Sequence, residues 1–154
     1  MSIPKPIKRH KALQPLSRQH HFGLLFSWKL RKGFSKNISL ERMQQFRDWF
    51  FETEIVPHFE AEEKHIFPIL EANNSFIQRA LKEHRRLKRL FTDTENVKKN
   101  LHQLEEELQA HIRFEERVLF NKIQEIATKK ELQIINALHI EKANTTEYHD
   151  PFWK

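Results

Sequence analysis

The sequence contains no cysteine and only two glycines in 154 residues. Without thiols it has no disulfides, no thiolate metal ligands and no cysteine nucleophile, and a cytoplasmic address is expected. So few glycines leave little material for the turns on which β-sheet folds depend. The abundant Leu, Glu, Lys, Gln and Arg lose little rotamer freedom in helices, so an all-α fold is expected. No apolar run approaches the roughly 20 residues needed to cross a bilayer, and no membrane partner is expected. The N-terminal stretch MSIPKPIKRHKAL is basic but lacks the apolar core of a signal peptide.

What is present is charge, of which the chain carries a formal net +6. Much of the excess lies at Lys5, Lys8, Arg9 and Lys11, and in KEHRRLKR at 82–89. Neither run interleaves aromatics as a nucleic-acid motif would, so both read as solvated surface and no nucleic-acid partner is expected.

Punctuation and periodicity predict five helices. The first covers about 12–32 and is ended by Gly33 as its C-terminal cap. The second covers about 39–71, with a kink or restart at Pro57, just before His58. Ser75 caps a third over 75–91, and a fourth runs from 94 or 95 to 127. Thr128 and Glu131 form a capping box for a short fifth helix reaching about 142. The tail TTEYHDPFWK is irregular, with Trp153 tucked against the rest. Four longer helices on short loops predict an up-down four-helix bundle. A single domain over 1–154 is expected, its bundle at about 12–127 and the extra helix and tail at 128–154.

Two stretches repeat a pattern: HFEAEEKHIF at 58–67 and HIRFEERVLF at 111–120 both read H-x-x-x-E-E-x-x-x-F. At about 100° per residue, positions four apart share a helix face. His111 and Glu115 fall within the apolar stripe of Val97, Leu101, Leu104, Leu108, Ile112, Leu119 and Ile126. His58 and Glu62 share a face with Ile66 and Ile69, while Glu63 and Glu116 turn outward by about 100°. His84 lies on the stripe of Ile77, Ala80, Leu81, Leu87 and Phe91. In the first helix His20 occupies the middle of an apolar sector and His21 its edge, so His20 is preferred and His21 is the alternative. His10, His102, His139 and His149 fall off the stripes.

One inward histidine from each of four helices therefore meets two inward glutamates. An ionised carboxylate buried alone costs several kcal/mol or becomes neutral. No Lys or Arg shares the stripes of Glu62 and Glu115 at their level, so a metal cation is the economical partner. Imidazole suits Fe, Zn, Cu and Ni, and carboxylate suits harder ions. A mixed set projecting into a bundle core is the arrangement of di-iron and di-manganese proteins, with zinc a further alternative, and carboxylates are able to bridge two ions. Such a set leaves coordination positions for water or a small ligand such as O2, unlike a closed four-ligand zinc site.

On LSRQHHFGLL, HFEAEEKHIFP, LKEHRRL and HIRFEERVLF, in that order, the chain resembles the hemerythrin-like (HHE cation-binding) domain family over about residues 13–126. The resemblance implies a four-helix bundle around a non-haem di-iron centre bridged by two carboxylates. Carried over by position, His20, His58, His84 and His111 are terminal ligands, and Glu62 and Glu115 are bridges. It also implies reversible O2 binding, sensing of oxygen, iron or redox state, or handling of iron and nitric oxide. The chain departs from the oxygen-carrying members, which have two histidines a turn apart in the third helix. Here the turns flanking His84 carry Ala80 and Lys88. His65 is a rival fifth ligand, but it lies about 10 Å beyond His58 along the helix, where an outer position is expected.

The functional reading is a di-iron protein that binds or senses O2, redox state or iron, passing any signal to a protein partner. The alternatives are a di-iron oxidoreductase acting on peroxide or nitric oxide, and a metal-free basic helical interaction protein.

Overall fold

The computed structural model describes residues 8–138 and 147–154, and every regular element among them is helical. A 3-10 turn, Lys11–Leu13, leads into α1, Gln14–Ser35. Helix α2 runs unbroken over 40–69. It comprises α-helical stretches Leu40–Phe50 and Val56–Ala61, wide π-turns Phe51–Ile55 and Glu62–Ile66, and a closing 3-10 turn Phe67–Ile69. Helix α3 is Ser75–Thr92. Helix α4 spans 97–126 as Val97–Phe114, a π-turn Glu115–Leu119 and Phe120–Ile126. Helix α5 is Lys129–Ala137, opened by the expected Thr128–Glu131 capping box. The rest of its expected reach to 142, and His139, lie outside the described residues. None of these helices is long and apolar enough to cross a membrane.

The all-α bundle is the fold: α4 packs along both α1 and α3, α2 completes the set of four, and α5 seats against the Lys11–Leu13 turn. Arg47 of α2, 1% exposed, ties α2 to the end of α3. Its guanidinium donates to the carbonyls of Leu90 at 3.3 Å and Asp93 at 2.9 Å, which the ending helix leaves without intrahelical partners. The tail returns to the bundle through an Arg42–Asp150 fork at 2.7 and 2.8 Å. Trp153 packs there against Phe46, with ring centroids 5.1 Å apart.

Several boundaries differ from the expectations. Gly33 does not cap α1; Asn37 takes the left-handed conformation at φ 56°. The Ile38 N–H bonds the Gly33 carbonyl and the Asn37 N–H that of Phe34, a Schellman ending. Gly33 is instead glycine for space, since a Cβ there would lie 2.8 Å from Phe152 and 3.0 Å from Met43. Asn74, not Ser75, caps α3, its Oδ1 accepting from the Phe76 N–H at 2.8 Å. Helix α4 starts at Val97, because Asp93 Oδ1 takes the Glu95 N–H and holds the preceding residues in a turn. Ile126, placed on the apolar stripe by even 100° spacing, is 48% exposed, whereas Ile123 is fully buried. The π-turn at 115–119 shifts the helical phase and brings Ile123 inward.

The buried apolar residues form two clusters on either side of a polar layer. Phe26, Phe50, Phe59, Leu108 and Ile112 belong to one, and Leu16, Phe67, Ala80, Leu119 and Phe120 to the other. Both reach His84: Phe59 stacks on its imidazole with centroids 3.7 Å apart, and Phe67 approaches it at 5.3 Å.

Candidate metal centre

Each repeat closes in the same way. The Phe67 N–H bonds the Glu62 carbonyl and the Phe120 N–H that of Glu115, five residues back rather than four. Such wide turns recur at functional sites because they hold an extra residue within a helix without ending it. Here each begins on the inward glutamate.

The six side chains expected to face one another do so. His20, His58, Glu62 and Glu115 offer ligand atoms within 4.8 Å of one another, and so do Glu62, His84, His111 and Glu115. Both glutamates are fully buried. Glu62 lies 3.2 Å from His58, 3.2 Å from His84 and 3.5 Å from His20. Glu115 lies 2.9 Å from His20, 3.3 Å from His111 and 3.8 Å from His84. Of the adjacent pair in α1, His20 is buried and His21 exposed. His65 is half-buried and belongs to neither ligand group.

The donor set fits a cation. His58 Nε2, His84 Nε2, His111 Nε2, Glu115 Oε2 and both Glu62 oxygens are buried without a hydrogen-bond partner. Buried polar atoms are seldom left so, and here they converge. Burial and Glu115 both push the Glu62 carboxyl up, yet His58 and His20 outweigh them and hold it at about 2. Glu115 likewise sits well below the usual carboxylate range, since His111, His20 and His84 overcome the effect of burial. Burial depresses His20 and His84, but the surrounding carboxylates raise both well above the ordinary value. His111 is raised in the same sense. A layer that favours the protonated forms of His20, His84 and His111 and the ionised forms of Glu62 and Glu115 is one that demands positive charge.

The opposite ring nitrogens are held from behind, each by the helix before it. Gln19 Oε1 of α1 meets His58 Nδ1 at 2.6 Å, Glu63 of α2 meets His84 Nδ1 at 2.7 Å, and Glu83 of α3 meets His111 Nδ1 at 2.7 Å. Glu116 of α4 closes the ring as an ion pair, 3.3 Å from His20 Nδ1. An imidazole that donates from Nδ1 to such a partner presents the Nε2 lone pair forward, the arrangement that orients metal-bound histidines. The outward turn of Glu63 and Glu116 is therefore a turn toward the next helix. Gln19 and Glu83 escaped the helical-phase reading, although each stands immediately before an inward histidine, as Glu63 and Glu116 stand immediately after the inward glutamates.

Beside His20, His58 and His111 lies a cavity of about 10 Å3, roughly the room of one water, walled also by Gly23, Phe59, Leu108 and Ile112. A Cβ on Gly23 would come within 2.6 Å of Ile112 Cδ1, so even one methyl there requires that side chain to move.

Among known proteins, no curated protein and no solved structure matches the chain. The family model of the hemerythrin HHE cation binding domain matches residues 16–123, more than half of the sequence. That span holds all six converging side chains and the four that support them, and the chain belongs to the hemerythrin HHE cation-binding domain family.

Proposed function

We propose that this chain is a non-haem di-iron protein that binds or senses O2, redox state or iron supply. His20, His58, Glu62, Glu115, His84 and His111 would hold two ions, with His20 and His58 serving one, His84 and His111 the other, and the two glutamates common to both. The observation that carries this reading is the overlap of the two ligand groups, whose shared members are the two fully buried glutamates. Each carboxylate has two oxygens and contacts histidines of both groups, as a bridge requires. Imidazole and carboxylate donors inside a bundle suit iron, with manganese or zinc as alternatives. When bound, a non-haem iron centre supplies electron-transfer and O2 chemistry. The chain's own part is to fix the ligands from behind, to keep bulk water out with Phe59, Leu108 and Ile112, and to leave a space for a very small molecule beside His20, His58 and His111.

The test is metal content per chain with the visible spectrum recorded before and after dithionite, then air. About two irons per chain and a reversible spectral change are expected. A chain that stays metal-free, or holds one zinc after anaerobic iron loading, would contradict the proposal.

One observation favours a second reading, a di-iron oxidoreductase consuming peroxide or nitric oxide. Ala80, one turn before His84, is fully buried and provides no ligand, so His84 and His111 would be the only histidines of their group to hold an ion, which would leave room there for a reacting molecule. Multiple-turnover consumption of peroxide or nitric oxide by the iron-loaded chain would select this reading over reversible binding.

A further inference from the structure

The two ligand groups share Glu62 and Glu115 but differ in what stands behind their histidines. Behind His84 and His111 are two carboxylates, each at 2.7 Å, Glu83 also accepting from Arg79 at 2.9 Å but through its other oxygen. Behind His58 is the neutral amide of Gln19, at 2.6 Å. Behind His20 is Glu116, at a longer 3.3 Å. The same Glu116 oxygen accepts from Ser17 at 3.0 Å and lies 3.7 Å from Arg9, so its charge is divided three ways. A carboxylate that accepts the imidazole N–H draws the proton toward itself and makes Nε2 a stronger donor to a metal; an amide oxygen does so less.

We infer that the His20–His58 position binds its ion more weakly than the His84–His111 position, and that Gln19 is the positioning residue that sets the difference. This rests on the dinuclear reading above. An ion then enters first at His84 and His111 and leaves first from His20 and His58. At limiting metal the chain is half-loaded, and the exchangeable ion is the one at His20 and His58, both of which line the small cavity together with Gln19, while only His111 of the other group reaches it. A response to iron supply would arise at that position.

The experiment is an anaerobic titration of the metal-free full chain with Co2+, followed by its visible absorption and by competition with a chelator. The wild-type chain is expected to bind two ions with dissociation constants separated by roughly ten- to a hundredfold. Gln19→Glu should tighten the weaker site about tenfold, change the absorption of the second ion to bind, and leave the first unaltered. Glu83→Gln should instead weaken the tighter site, narrowing the gap from the other side. Arg18→Glu adds negative charge one residue away on an exposed position and should leave the ratio of the two constants unchanged. Two equal sites in the wild type would overturn the inference, as would a Gln19→Glu chain that binds two ions with the original spacing. A chain that takes up no more than one ion sinks the dinuclear reading and this inference with it, an outcome separate from the other two.

Discussion

The two repeats, 58–67 and 111–120, perform one task in different company. In both, the first residue is an inward histidine, the fifth a fully buried glutamate, the sixth a carboxylate aimed at the next helix, and the tenth a phenylalanine closing a π-turn. That phenylalanine also supports the neighbouring histidine: Phe67 lies 5.3 Å from His84 and Phe120 5.2 Å from His20. The difference lies in the sixth position. Glu63 accepts a 2.7 Å hydrogen bond from His84 Nδ1 and has one distant cation, Lys88 at 3.9 Å. Glu116 serves His20 from 3.3 Å while also engaged by Ser17 and Arg9. The same short motif thus produces a firm support in one half of the bundle and a shared one in the other. What the motif does depends on which helix it faces.

The largest effect should come from the shared carboxylates. Glu62→Gln and Glu115→Gln should each abolish loading of both ions, from about two per chain to near none by metal analysis. If one repeat tolerated the change, their equivalence would fail. The paired second positions come next. Phe59→Ala should cost about 3–5 kcal/mol and Ile112→Ala about 2–5 kcal/mol in denaturant unfolding, since both side chains are buried against the layer. Glu63→Gln should weaken metal binding about 10- to 100-fold, and Glu116→Gln only a few-fold, measured by chelator competition. Equal losses would mean that the distance difference has no consequence.

Acidity offers a test of the layer as a whole. In the metal-free chain, His20, His84 and His111 are raised above 6.5, so the stability from their pairing is complete below that value and fades as pH rises through the raised ones. Glu62, held at about 2, and Glu115, well below 4.5, contribute above 4.5 and lose their contribution as pH falls through the lowered values. The metal-free Tm should therefore be greatest at about pH 4.5–6.5 and decline on the alkaline side. Metal replaces those protons, so the rise in Tm on adding metal should grow with pH, as differential scanning calorimetry would reveal. The smallest effect belongs to His65. Its counterpart in the second repeat is the exposed Val118, and His65→Val should leave metal content unchanged and stability within about 0.5 kcal/mol.

Even helical spacing was enough to bring His58, Glu62, His84, His111 and Glu115 to one layer and to prefer His20 over His21, because ligand and stripe lie within a turn or two of one another. It failed over longer spans. The π-turn at 115–119 moved Ile126 out and Ile123 in, and a repeated sequence pattern does not disclose a backbone bond to the fifth residue. Nor does spacing along one helix reveal Gln19 or Glu83, whose partners belong to the next helix. Their nearness in sequence to inward residues was the available signal. Helix ends were displaced by one to three residues wherever a polar side chain, such as Asn74 or Asp93, took a backbone donor that spacing alone could not assign.

The ring of Gln19, Glu63, Glu83 and Glu116 has a consequence for how damage spreads. Each link spans one interface between helices, so together they form a hoop around the layer with no free end. Cutting any link leaves one imidazole free to swivel and loosens its partner in the same ligand group. A second cut should then cost less than the first. Loss of metal affinity in double variants such as Glu63→Gln with Glu83→Gln should fall short of the product of the single losses, as expected of residues coupled through shared neighbours.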